Sequence, residues 1–145
     1  MEIVQFIHSK WAYLVLVVLI IATVNALIKF FGNKEFDPKD FRIALFTLIT
    51  MHIQLLIGIV LFFMKDYFGT IKEVGGMGEV MKIPALRNLI VEHPLTMIIA
   101  IALVTIGYSK HKKKLTSKPK FKMLAIFYTI ALVLVLAKIP WNLWF

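Results

Sequence analysis

Glu92-His93-Pro94-Leu95-Thr96-Met97-Ile98-Ile99-Ala100-Ile101-Ala102-Leu103-Val104-Thr105-Ile106-Gly107-Tyr108, closed by the block Lys110-His111-Lys112-Lys113-Lys114, decides the fold class. Between Glu92 and Lys110 there is no Asp, Glu, Lys or Arg. The apolar run extends back to residue 86, close to the roughly 20 residues a helix needs to cross about 30 Å of hydrocarbon. Three more runs of this kind cover residues 11–28, 43–64 and 121–137. The chain has 145 residues, of which 60% are hydrophobic, leaving little for an extramembrane domain. Soluble domains hold about 45–50% apolar residues. A backbone in lipid must satisfy its own hydrogen bonds, and a barrel would show shorter segments with period-two alternation. The expectation is therefore all-α: one integral membrane domain over 1–145, an up-down-up-down bundle of four transmembrane helices at about 2–31, 38–66, 84–111 and 120–139.

The net charge of +9 does not point to nucleic acid, because its distribution follows the membrane. Seven of the 17 Lys and Arg fall between Lys110 and Lys122, in the loop between spans three and four. Lys29, Lys34, Lys39 and Arg42 belong to the same side, giving eleven basic residues there against six on the other. Basic loops stay cytoplasmic. Both termini and the loop 67–83 are then external, with Trp141 and Trp144 after Pro140 as interfacial anchors. The first span lacks a basic n-region and a small-residue cleavage site, so it reads as a retained helix.

Cysteine is absent, which excludes disulfides, thiolate metal sites and covalent haem attachment. Gly75, Gly76 and Gly78 lack the Lys-Ser/Thr ending of a phosphate loop and read as a flexible turn. No hydrolytic residue set is present. Glu2, Glu35, Asp37, Asp40, Asp66, Glu73 and Glu79 fall in terminal or loop segments, leaving Glu92 as the one acid expected inside the membrane.

Histidines carry the chemistry that remains, since ionisable groups in membrane segments usually serve a function. Asp37-Pro38 and Pro84 are natural helix starts. His8 then lies about two turns below the outer end of the first helix, and His93 about two to three turns below that of the third. In a short-loop bundle these two helices run parallel and face each other across the diagonal. Two imidazoles at matched depth suit axial ligation of one b-type haem, or of two if other histidines take part. His93, Met97, Ala100, Val104, Gly107 and His111 follow steps of four and three, so they form one stripe whose small residues admit a porphyrin or simply a neighbouring helix.

Each histidine has a structural alternative. His93 precedes Pro94, which frees a backbone carbonyl nearby, and His8 stands beside Lys10 and Trp11 at the interface. His52 is the deepest and has no diagonal partner, so haem ligation in place of His8, a quinone contact and a structural hydrogen bond stay open. His111 reads as part of a solvated basic rim. Thr47, Thr50, Gln54 and Gly58 share a face roughly opposite His52 at 100° per residue. Either that face meets a partner chain, as in a homodimer or larger complex, or the threonines bond their own backbone. Lys10, Arg87 and Lys138 are the cations near the outer end available to haem propionates.

The segments His8-Ser9 leading into Trp11, Met51-His52-Ile53-Gln54 with Gly58, and Glu92-His93-Pro94 with Met97, then Gly107 and Lys110-His111-Lys112, resemble small bacterial four-helix membrane proteins of the cytochrome b-like family. The likeness spans nearly the whole chain. It implies non-covalent haem binding with His8, His52 and His93 as the matching positions, and electron transfer in the cytoplasmic membrane. Taken with the residue reading, the expectation is a haem protein that moves single electrons between a quinol and a partner protein. An electron carrier fits this pattern better than a stand-alone enzyme. The rival from another class is a cofactor-free accessory subunit of a larger membrane complex. A proton or metal transporter using Glu92 with His93 is disfavoured, because no chain of carboxylates crosses the bilayer.

Overall fold

The computed structural model describes residues 2–144, apart from the Trp144 side chain, so the anchoring role expected of that tryptophan lies outside it. The described chain is helical throughout its ordered elements, with no strand among the described residues. Helix α1 spans Glu2–Phe31, α2 Pro38–Met64, α3 Tyr67–Val74, α4 Met77–Val80, α5 Pro84–Lys113, α6 Ser117–Lys138 and α7 Trp141–Trp144. Helices α1, α2, α5 and α6 are long and apolar enough to cross a membrane. The protein is a multi-pass membrane protein of all-α architecture.

Local chemistry sets the helix ends. Asp37 caps α2, its carboxylate accepting from the Lys39 and Asp40 amides while Asp40 accepts from the Asp37 amide, with Pro38 in the first turn. The segment 67–83, expected as a loop, instead holds α3 and α4. Asp66 opens α3 by accepting from the Gly69 amide, and the expected glycine turn is confined to Gly75 and Gly76, at φ of 104° and 108°. α2 ends two residues before the expected 66 because Asp66 turns left-handed, at φ 51°. Within α5, residues Asn88–Glu92 widen into a π turn. Pro94 explains the location, since it cannot donate to the carbonyl a turn earlier.

α1 packs against α2 and α6, and α5 against the same two, which leaves α1 facing α5 and α2 facing α6 across the core. Gln54 Nε2 donates to the His8 carbonyl at 2.8 Å near one end of the α1–α2 pair, and Asn25 donates to Asp40 at 2.9 Å near the other. These two helices are antiparallel. His93 beside Lys138 and His111 beside Lys120 show the same for α5 and α6. Ser117 accepts from the Phe36 amide, joining the first and third connections at the lysine-rich end.

Small side chains let these backbones approach: Ala22, Ala26, Ala44, Ala100, Gly107 and Ala131 are all buried. Tyr128, fully buried, reaches across the core from α6 to donate to the Ala44 carbonyl of α2 at 2.9 Å. The Thr47/Thr50/Gln54/Gly58 face turns inward and not toward a second chain. Thr47 and Thr50 are buried and bond their own helix, through Ile43 O at 2.9 Å and Thr47 O at 3.0 Å. The outer surface is isoleucine, leucine and phenylalanine, as hydrocarbon contact requires.

Candidate histidine site

His8 and His93 meet across the core. Their ring centres lie 6.3 Å apart and their planes stand at 84°. Each is half-buried. His93 holds its position through Nδ1, 2.9 Å from the Lys138 carbonyl. A carbonyl only accepts, so Nδ1 carries the proton and Nε2 presents a lone pair. The Nδ1 of His8 is buried and has no hydrogen-bond partner. Gly58 of α2 lies against that ring, where a Cβ would stand 3.3 Å from His8 Cε1. Gln54, one turn earlier, ties the His8 backbone to α2, and Trp11 Nε1 donates to the Thr50 carbonyl at 2.9 Å.

A centre-to-centre distance of 6.3 Å with near-perpendicular planes is the edge-to-face packing of two rings. As donors, two half-buried imidazoles are of the residue type that haem iron accepts. Among the described residues no three His, Asp or Glu side chains converge on a point that could hold a metal ion. Two imidazoles are the full complement that iron in a macrocycle takes from a protein.

Beside the pair, Glu92 is held by Arg87 Nε at 2.8 Å and by Lys138 Nζ at 3.3 Å. Arg87 and Lys138, read from sequence as free cations for propionates, therefore already share a carboxylate counter-ion. Lys10 pairs with no carboxylate among the described residues, and its ammonium lies 5.5 Å from the Phe6 ring centre.

The other two histidines do not join the site. His52 is exposed on the outer face of α2, its Nδ1 2.8 Å from its own helix at Leu48 O. It precedes Gln54 by two residues, about 200° around the helix, so an inward Gln54 turns it outward. His111 is not on a solvated rim. It is 0% exposed, bonded through Nδ1 to the Tyr108 carbonyl and enclosed by Phe36, Phe41 and Tyr108, while its Nε2 has no partner. The first connection folds back over this end of the bundle and covers it.

Asp40 is a further correction. Expected among loop acids, it is 1% exposed and accepts from Asn25 at 2.9 Å and Lys29 at 2.8 Å. Asn25 and Lys29, one turn apart on α1, were the available signal.

Comparison of the chain with protein-family models, curated proteins and solved structures returned no match.

Proposed function

We propose that this chain is a membrane haem protein that carries single electrons, with His8 and His93 as the residues that would hold one non-covalent b-type haem. The observation that carries the reading is the pairing of these two rings across the core, 6.3 Å apart, at the same end of the bundle. The bound iron would supply the one-electron chemistry. The chain's own residues hold and orient its ligands. The Lys138 carbonyl selects the His93 tautomer that offers Nε2, Gly58 leaves room for the His8 ring, and Gln54 anchors the His8 backbone. Glu92 with Arg87 and Lys138 makes a charged rim beside the pair, whereas Lys10, two residues and about 200° from His8, is turned to the outer face over Phe6.

His52 has a different place in this reading. Its Nδ1 proton is committed to Leu48 O, so its Nε2 faces the lipid as an acceptor. A quinol hydroxyl arriving through the bilayer is a matching donor. The lysine-rich end faces the cytoplasm and both termini lie outside the bacterial cytoplasmic membrane, as the basic bias favours.

The test is the oxidised and dithionite-reduced absorption spectrum of detergent-purified protein supplied with haem. Sharp reduced α and β bands are expected in the wild type and in His52→Ala, and are expected to be lost in His8→Ala and His93→Ala. A colourless wild type would sink the reading and leave the cofactor-free accessory subunit. Bands that survive in His8→Ala would remove His8 as a ligand.

A further inference from the structure

On the outer surface, a cleft of about 500 Å3 runs between α1 and α2, far from the histidine pair. Val18 and Ile21 form one wall, and Ile43, Phe46 and Ile49 the other. Lys39 and Arg42 stand at its lysine-rich end. Both cations are exposed and neither has an ion-pair partner among the described residues. The reason lies on the opposite side of the same turn, where Lys29 takes both nearby carboxylates, Asp40 at 2.8 Å and Asp37 at 3.7 Å.

We propose that this cleft binds an anionic phospholipid, with its phosphate on Lys39 and Arg42 and one acyl chain lying along Ile21, Ile43, Phe46 and Ile49. The geometry matches on three counts. The cations sit at the first turn of a membrane helix, at the level of a headgroup, and the apolar walls run inward from them. From Arg42 to Ile49 the helix rises about 10 Å, roughly two-thirds of the depth of one leaflet. The guanidinium forks onto phosphate oxygens while the lysine adds a second charge. A zwitterionic lipid fills the walls equally well, but its own ammonium competes for the phosphate.

The probe is phosphatidylglycerol added to the detergent-purified full chain and followed by native mass spectrometry, with phosphatidylcholine and inorganic phosphate in parallel. Retention of phosphatidylglycerol over phosphatidylcholine is expected. Each surface cation contributes about five-fold, so Lys39→Gln with Arg42→Gln weakens retention about twenty-five-fold. Ile21→Trp, which fills the cleft without touching charge, weakens it too, and Lys112→Gln with Lys113→Gln leaves it unchanged. Equal loss in the Lys112/Lys113 pair would overturn the proposal in favour of diffuse attraction to the basic end. Displacement by inorganic phosphate together with an unaffected Ile21→Trp would overturn it in favour of an anion site without a lipid chain. No preference over phosphatidylcholine would overturn it outright. Thermal melts by circular dichroism accompany each variant, and the uncharged Ile21→Trp decides the outcome if the cation variants do not fold.

Discussion

Replacing Gly107 by alanine puts the contact between α5 and α6 to a quantitative test. A Cβ at this position would stand 2.5 Å from Phe127 Cβ and 3.1 Å from its Cγ. Carbon atoms in contact rest at about 3.5–4.0 Å, so the two helices must separate locally by about 1 Å. The clash is with an atom bonded directly to the α6 backbone, and no rotamer of Phe127 moves it. Overpacking of this kind costs about 1–3 kcal/mol. A loss of about 2 kcal/mol is expected in reversible unfolding from mixed detergent micelles, followed by helical circular dichroism. Adding Phe127→Ala leaves the Cβ clash in place, whereas adding Phe127→Gly removes it and should recover stability relative to Phe127→Gly alone. Gly78→Ala is the control, because nothing lies within 4 Å of its added methyl, and it should stay within about 0.5 kcal/mol of the parent. A Gly107→Ala protein that unfolds within 0.5 kcal/mol of wild type would refute the close approach of α5 and α6 at this point.

Substitutions at Asp40, Lys29 and His111 probe the lysine-rich end in the same assay. Asp40→Ala strips Asn25, Lys29 and the Asp37 amide of their shared acceptor; a loss of about 3 kcal/mol is expected. Lys29→Met should cost less than Asp40→Ala, because Lys29 is one-quarter exposed; equal stability of Asp40→Ala and wild type would show that the network contributes nothing. His111→Phe removes the unpartnered Nε2 but also the Nδ1 bond to the Tyr108 carbonyl, and it keeps a ring in the aromatic enclosure, so stability should stay within about 1 kcal/mol of wild type. His111→Ala empties the aromatic enclosure and should lose about 3 kcal/mol or more. A His111→Phe protein as unstable as His111→Ala would refute the account of Nε2 as unpartnered inside an aromatic enclosure.

The linear pattern was sufficient for the four spans, because hydrocarbon imposes one requirement on every residue of a crossing segment: a satisfied backbone and an apolar surface. Asp37-Pro38 and Pro84 marked the starts of two of them for equally local reasons, and the twin glycines marked a turn outside the spans. The Ala100, Val104, Gly107 and His111 stripe was legible in the same way, since side-chain direction along one helix follows from a fixed period. It was incomplete in one respect. The period places His111 on the stripe, and the surrounding lysines suggested water; only the return of Phe36 and Phe41 over that end decided that the ring is buried.

Rotation of one helix against another was decided by tertiary packing. Periodicity showed that His52 and the Thr47/Thr50/Gln54/Gly58 set lie on opposite faces of α2, but in lipid both faces meet apolar surroundings and hydropathy does not choose between them. Packing against α1 made the choice, bringing Gln54 and Gly58 to His8 and leaving His52 outside. Likewise the sequence by itself determined that His8 and His93 lie at similar depths, through helix rise alone. Their approach to 6.3 Å, the engagement of Glu92 by both Arg87 and Lys138, and the burial of Asp40 against Asn25 and Lys29 arose only when separate helices were brought together. Depth is a property of one helix, set by counting residues; proximity belongs to two helices, set by the small side chains at their contact.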